Sequence, residues 1–180
     1  MGLRATRVPG VVLVSLAATL WGLDALIRKP LVGSNAPATI VFGEHVVLVA
    51  LSLPLLLPAL RALFAAGLRY VLAGVAVGAG ASAAATILFT QAFVHGDYIT
   101  PLVLQKAQPL IAVVGAWIVL HEQPRPRFAW FLLPGLAGIW LIGIAHPLAP
   151  QARGLSPIAY ALAAAALWGL GTVLGRYLSR

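Results

Sequence analysis

Three ionisable side chains stand inside stretches that are otherwise apolar: Asp24 in "LWGLDALIRKPL", Glu44 in "TIVFGEHVVLVAL" and Lys106 in "PLVLQKAQPLIAVV". A charge at the centre of a membrane-spanning helix costs about 2.5–3.5 kcal/mol on insertion scales, so each is a functional candidate by default. At a rise of ~1.5 Å per residue, Asp24 lies roughly 8 Å in from Lys29, and Glu44 and Lys106 roughly 10 Å in from Pro37 and Ile99. The three share one level. Arg28 is one turn beyond Asp24, at the i,i+4 spacing that permits an ion pair, and His45, Gln91, Gln105 and Gln108 fall at the same depth. This combination suits proton binding and contact with a polar solute, with Asp24 or Glu44 as a protonatable switch and Lys106 as counter-charge or anion contact. A plainer reading is that Asp24–Arg28 and Glu44–Lys106 pair and staple helices together. Trp21 and Trp168, each followed by glycine, either line the same pathway or pack helices.

Other chemistries lack their residues. The four histidines are scattered, with no HExxH and no convergent His/Glu set, so neither a metal nor a catalytic site is expected. No Gly-rich loop leads into Lys-Ser/Thr, which removes nucleotide hydrolysis, and no cofactor is implied. The absence of cysteine excludes disulfides and thiolate ligands. The net charge of +8 is spread thinly between apolar runs, without a basic cluster, so nucleic acid is not a partner.

The elements that position these residues follow from composition. Of 180 residues 61% are hydrophobic and 9% charged, with a mean hydropathy of +0.98, whereas about a quarter of an average soluble chain is charged. Apolar runs of about 20 residues match a hydrocarbon core about 30 Å thick. Spanning segments must satisfy their own backbone, as helices or closed barrels do, and these long Ala-, Leu-, Val- and Gly-rich runs lack the alternation of barrel strands. The fold class is therefore an all-α polytopic membrane protein with the lipid bilayer as its surroundings. Six spans are predicted, over 10–29, 37–60, 70–94, 98–120, 128–146 and 155–178. "HGDY" joins the third and fourth as a tight hairpin, and Glu122 is expected in a loop ion pair beside Arg125 and Arg127. Gly74 and Gly78 form a GxxxG continued by Ala81 and Ala85, a packing stripe. The first apolar run is too long for a cleaved signal core and reads as an anchor. An N-terminus on the cytoplasmic side places eight basic residues inside and three outside, which the positive-inside rule favours.

The chain also repeats itself. An offset of 147 residues aligns "AATLWGLDALIRKPL" (17–31) with "AAALWGLGTVLGRYL" (164–178), identical at seven of fifteen positions including Trp21/Trp168 and Gly22/Gly169. A unit of five spans is odd-numbered, so a second copy starts on the opposite side of the membrane, the inverted-repeat plan of many secondary transporters.

"LWGLDALIRKPL", "TPLVLQKAQPLIAVVGAWIVLHEQPRPR" and "FLLPGLAGIWLIG" resemble the first, fourth and fifth helices of EamA-type proteins of the drug/metabolite transporter superfamily. Pro109 and Glu122 match the fourth-helix pattern; His121 stands where glycine is usual, and "EH" at 44–45 departs from the arginine often carried by the second helix. The resemblance implies ten helices in two five-helix repeats, and secondary-active transport or export of a small-molecule metabolite by alternating access. Proton coupling and simple facilitated exchange are both compatible with it. It implies a bacterial-type inner (plasma) membrane. On this reading residues 8–148 are the first repeat and 149–180 the start of the second, with a homodimer or a missing second half completing the transporter. The rivals are a truncated or split-gene product that does not transport alone, and a membrane enzyme acting on lipids.

Overall fold

The computed structural model describes residues 9–94, 99–143 and 155–179, and helices make up nearly all of them. Helix α1 runs over Gly10–Val32 and α2 over Pro37–Ala65, which opens on a proline whose missing N–H has no helical partner to lose. Helix α3 covers Leu68–Phe93, with π-type winding over Ala76–Ala84. It follows α2 through Gly67 at φ +102°, a conformation glycine alone adopts freely. Helix α4 is built from Ile99–Leu104, a 3₁₀ turn at Gln105–Ala107, and Gln108–Leu120. Helix α5 spans Phe128–Gly143 and α6 Leu155–Leu178.

Five of these helices are long and apolar enough to cross a membrane. The sixth, α5, is described over Phe128–Gly143, up to the last described residue before the α5–α6 joint. The basic N-terminal residues Arg4 and Arg7, the "HGDY" joint and the α5–α6 joint fall largely or wholly outside the described residues.

Helix α6 lies along both α3 and α4. Its Ala161, Ala164 and Ala165 are fully buried, Gly171 abuts Ala81 of α3, and Gly169 sits against Ile111 of α4. Small residues are what allow backbones to approach this closely in lipid, where packing rather than hydrophobicity drives association. The GxxxG stripe expected on α3 is realised in part. Ala81 and Ala85 are buried, but Gly74 faces Leu63 of α2 and Gly78 has no neighbour where a Cβ would be. The π winding alters the helical phase between Gly78 and Ala85, so equal spacing no longer means one face. Near the far ends of these helices Tyr70 stacks on Tyr177 at 5.8 Å. Glu122 pairs with Arg176 of α6 at 3.2 Å, a partner that the nearer loop arginines hid in sequence.

Candidate functional site

Side chains four apart on a helix share a face, and on α1 this brings Arg28 back onto Asp24. The guanidinium grips the carboxylate in bidentate fashion, Nε donating to Oδ2 at 2.8 Å and Nη2 to Oδ1 at 3.1 Å. Nη2 also lies 2.8 Å from Glu44 Oε1 of α2, and Nη1 donates to Thr90 Oγ1 of α3 at 2.6 Å. One cation thus ties three spans together. Arg28 is 5% exposed, whereas the Asp24 and Glu44 side chains keep 31% and 33% of their surface. Charge-assisted, bidentate bonds of this kind are stronger and more directional than neutral ones.

A second polar line continues from the cluster along α3. Thr90 Oγ1 donates to the Thr86 carbonyl at 2.7 Å, and Thr86 Oγ1 donates to the Ser82 carbonyl at 2.7 Å. Ser82 Oγ lies 2.9 Å from His45 Nε2 of α2, while His45 Nδ1 lies 2.8 Å from the Val41 carbonyl. A carbonyl only accepts, so Nδ1 carries a proton; in the neutral ring Nε2 then accepts from the Ser82 hydroxyl. Glu44 and His45, adjacent in sequence, therefore reach α1 and α3 respectively.

Between α1 and α2 opens a cleft of about 630 Å³. Asp24, Arg28 and Glu44 form its polar wall, Asn35 and Thr39 add amide and hydroxyl groups, and the rest is aliphatic except for Gly43. Such a composition, mostly apolar with a few convergent polar groups, is that of a small-molecule site.

Aromatic rings adjoin the cluster. Trp21, three residues before Asp24, meets Trp168 of α6 edge to face at 6.0 Å; Trp168 meets Phe89 at 5.2 Å, and Phe89 meets Phe93 at 4.9 Å. Phe89 and Phe93 are buried with Ala164, but Trp21 remains half exposed.

The remaining candidates lie elsewhere. Lys106 is exposed in the 3₁₀ turn of α4, makes no ion pair among the described residues, and does not border the cleft. The expected Glu44–Lys106 pair gives way to Glu44–Arg28. The turn itself has a simple cause: Pro109 has no N–H for the Gln105 carbonyl, and Gln108 N–H takes that carbonyl instead. Gln105 is buried on α4, and Gln91 and Gln108 are half-buried, all outside the cleft wall. The sequence reading passed over Thr90, which is fully buried. Its signal was the four-residue spacing of Ser82, Thr86 and Thr90, a polar line on an apolar helix.

Comparison with known proteins adds the following. The EamA-like transporter family matches residues 8–144. The chain is 30% identical over 185 aligned residues to the riboflavin transporter ImpX of Fusobacterium nucleatum subsp. nucleatum, an alignment covering 94% of this chain and 59% of that protein. The chain thus spans about three fifths of the length of this curated relative. No solved structure matches it.

Proposed function

The chain belongs to the EamA-like transporter family, and from that premise we propose that it moves a small metabolite across a bacterial-type inner membrane by alternating access, through the cleft between α1 and α2. The observation that carries this reading is the ion-paired cluster. Asp24, Arg28, Glu44 and Thr90 converge from three spans onto one small volume. Polar groups at this depth are costly and mark solute or ion pathways. Trp21, three residues before Asp24 on α1, packs edge to face on Trp168 of α6 outside the cleft wall.

Helix α6 opens a second five-helix unit in inverted orientation, with the N-terminus cytoplasmic. The cleft then opens toward the outer ends of α1 and α2, where Asn35 of their connection borders it, and its ion-paired wall lies on the way to the midplane at which repeats of this type meet their substrate. Glu44 and Asp24 supply protonatable groups: protonating Glu44 loosens its hold on Arg28 and so uncouples α2 from α1, whereas protonating Asp24 frees Arg28 from its partner within α1. This is the step by which a proton gradient drives the cycle. Riboflavin, the solute in the relative's name, is the first substrate to assay, since its planar ring suits the exposed face of Trp21. Uptake of labelled riboflavin into proteoliposomes holding the purified 180-residue chain tests the proposal. Flux is expected with the wild-type chain and with Lys106→Met, and loss with Glu44→Gln. Equal flux in wild type, Asp24→Asn and Glu44→Gln would remove the cluster from the pathway.

A further inference from the structure

We infer that, among solutes of like shape, the cleft between α1 and α2 favours those carrying a positively charged, hydrogen-bond-donating group, such as a protonated amine, admits neutral donor-bearing solutes less tightly, and disfavours anions; this rests on the cleft being the substrate pathway proposed above.

The argument begins with the guanidinium. Arginine has five N–H donors and no acceptor. Here Nε is directed at Asp24, Nη2 at Asp24 and Glu44, and Nη1 at Thr90. At most one N–H is left, on a side chain only 5% exposed. An anion entering the cleft would have to displace a carboxylate already bonded to Arg28 before gaining a contact of its own.

The carboxylates are the reverse case. Ionised Asp and Glu only accept hydrogen bonds, and a third of each side chain is exposed. The charged wall offered to a ligand is therefore made of acceptors, with the donors behind it. Two carboxylates against one guanidinium also leave the cluster with a formal charge of minus one. Arg28 is the one basic side chain bordering the cleft among the described residues. Apolar helix surface on the other sides supplies no compensating charge, so unlike charge is drawn in while like charge is repelled. Asn35 and Thr39 can donate as well as accept, so they do not reverse the preference.

The test uses the full chain, purified in detergent. It has no cysteine, so Gly43→Cys places one reporter thiol in the cleft wall, at a position where an added Cβ meets no neighbour. Three probes share an indole ring and differ in charge: tryptamine (cation), tryptophol (neutral) and indole-3-propionate (anion). Protection of the thiol from a water-soluble maleimide reads occupancy. Tryptamine is expected to protect at a concentration about tenfold or more below that of indole-3-propionate, with tryptophol between. Adding Glu44→Gln should bring tryptamine and tryptophol within about twofold of each other. Thr39→Lys, which removes no cluster contact and supplies a cation to the same cleft, should abolish the preference for tryptamine even if the Gln variant does not fold. Protection by the anion at an equal or lower concentration overturns the charge assignment and leaves the cleft as the pathway. Protection by none of the three overturns the pathway reading with it. A tryptamine preference unchanged by Thr39→Lys places the probe outside the cleft and also overturns the inference.

Discussion

Replacing Arg28 with Met separates the ion-paired cluster's part in holding the helices from its part in transport. The structure sets the magnitude. Arg28 is 5% exposed and pairs with two carboxylates while also donating to Thr90. Removing one partner of a buried pair costs about 3–5 kcal/mol, because the charge left behind has no compensation. Asp24 and Glu44 each keep a third of their surface exposed, which relieves part of that penalty and favours the lower end, about 3 kcal/mol. For a chain of this size that is a fall in Tm of about 6–12 °C. The triple variant Arg28→Met/Asp24→Asn/Glu44→Gln removes the stranded charges together. Exchanging an entire buried ion pair for neutral groups is often close to neutral in stability, so the triple variant is expected within about 1 kcal/mol of wild type. Unfolding followed by tryptophan fluorescence in mild detergent measures both. Flux is the second readout: the triple variant should be folded but inactive, a result that mere stapling cannot produce. A stability of Arg28→Met within about 1 kcal/mol of wild type, or a triple variant as unstable as the single one, would refute the charge-compensation argument.

Three further outcomes follow from other parts of the fold. His121 closes α4 at φ +56°, ψ +26°, in the left-handed region, so His121→Gly relieves a side-chain clash and should raise stability by about 1 kcal/mol, read as a higher Tm. Gly171→Ala drives a Cβ into that of Ala81, and should destabilise by about 1–3 kcal/mol, with Ala81→Gly as the compensating partner. Gly175→Ala, one turn on and facing open space, is the control, expected to be neutral or slightly stabilising by the helix propensity of alanine. For orientation, single cysteines at Asn35 and Arg125 in intact cells should differ, the first labelled by an impermeant maleimide and the second only after permeabilisation. The opposite pattern would place the N-terminus outside.

The pairing within a helix was legible in the sequence and azimuth between helices was not. The 3.6-residue period put Asp24 under Arg28, and the two pair. Whether Glu44 meets Arg28 or Lys106 depends on which helices are neighbours and how each is turned about its axis. Those quantities come from the packing of α6 against α3 and α4, a set of contacts among alanines and glycines far away in the chain. The same holds for Thr90, whose hydroxyl gains meaning only when α1 lies beside α3. Pro109 removes the N–H that the Gln105 carbonyl would take in a regular helix, and the 3₁₀ turn that results changes the direction of every side chain within it. Lys106, the candidate inside that turn, is the one that ends up exposed and away from the cluster.

Comparing the two copies of "LWG" gives a physical reason for their difference. In the 147-residue register Asp24 corresponds to Gly171 and Arg28 to Gly175. A side chain at 171 is excluded because α6 touches Ala81 of α3 there, and that contact is part of what holds α6 against the bundle. The first copy carries no such packing demand at position 24, where α1 borders an open cleft. The tryptophans, by contrast, are kept in both copies and meet at 6.0 Å. One copy thus keeps the charged pair and the other gives up the position equivalent to Asp24 to close packing, while the aromatic contact joins them. If a carboxylate were needed from both copies, Gly171 would have to move away from α3. On the proposed pathway the charged groups therefore come from α1 and α2, and a motion of these two helices against the α3–α6 seam would open and close the cleft between them.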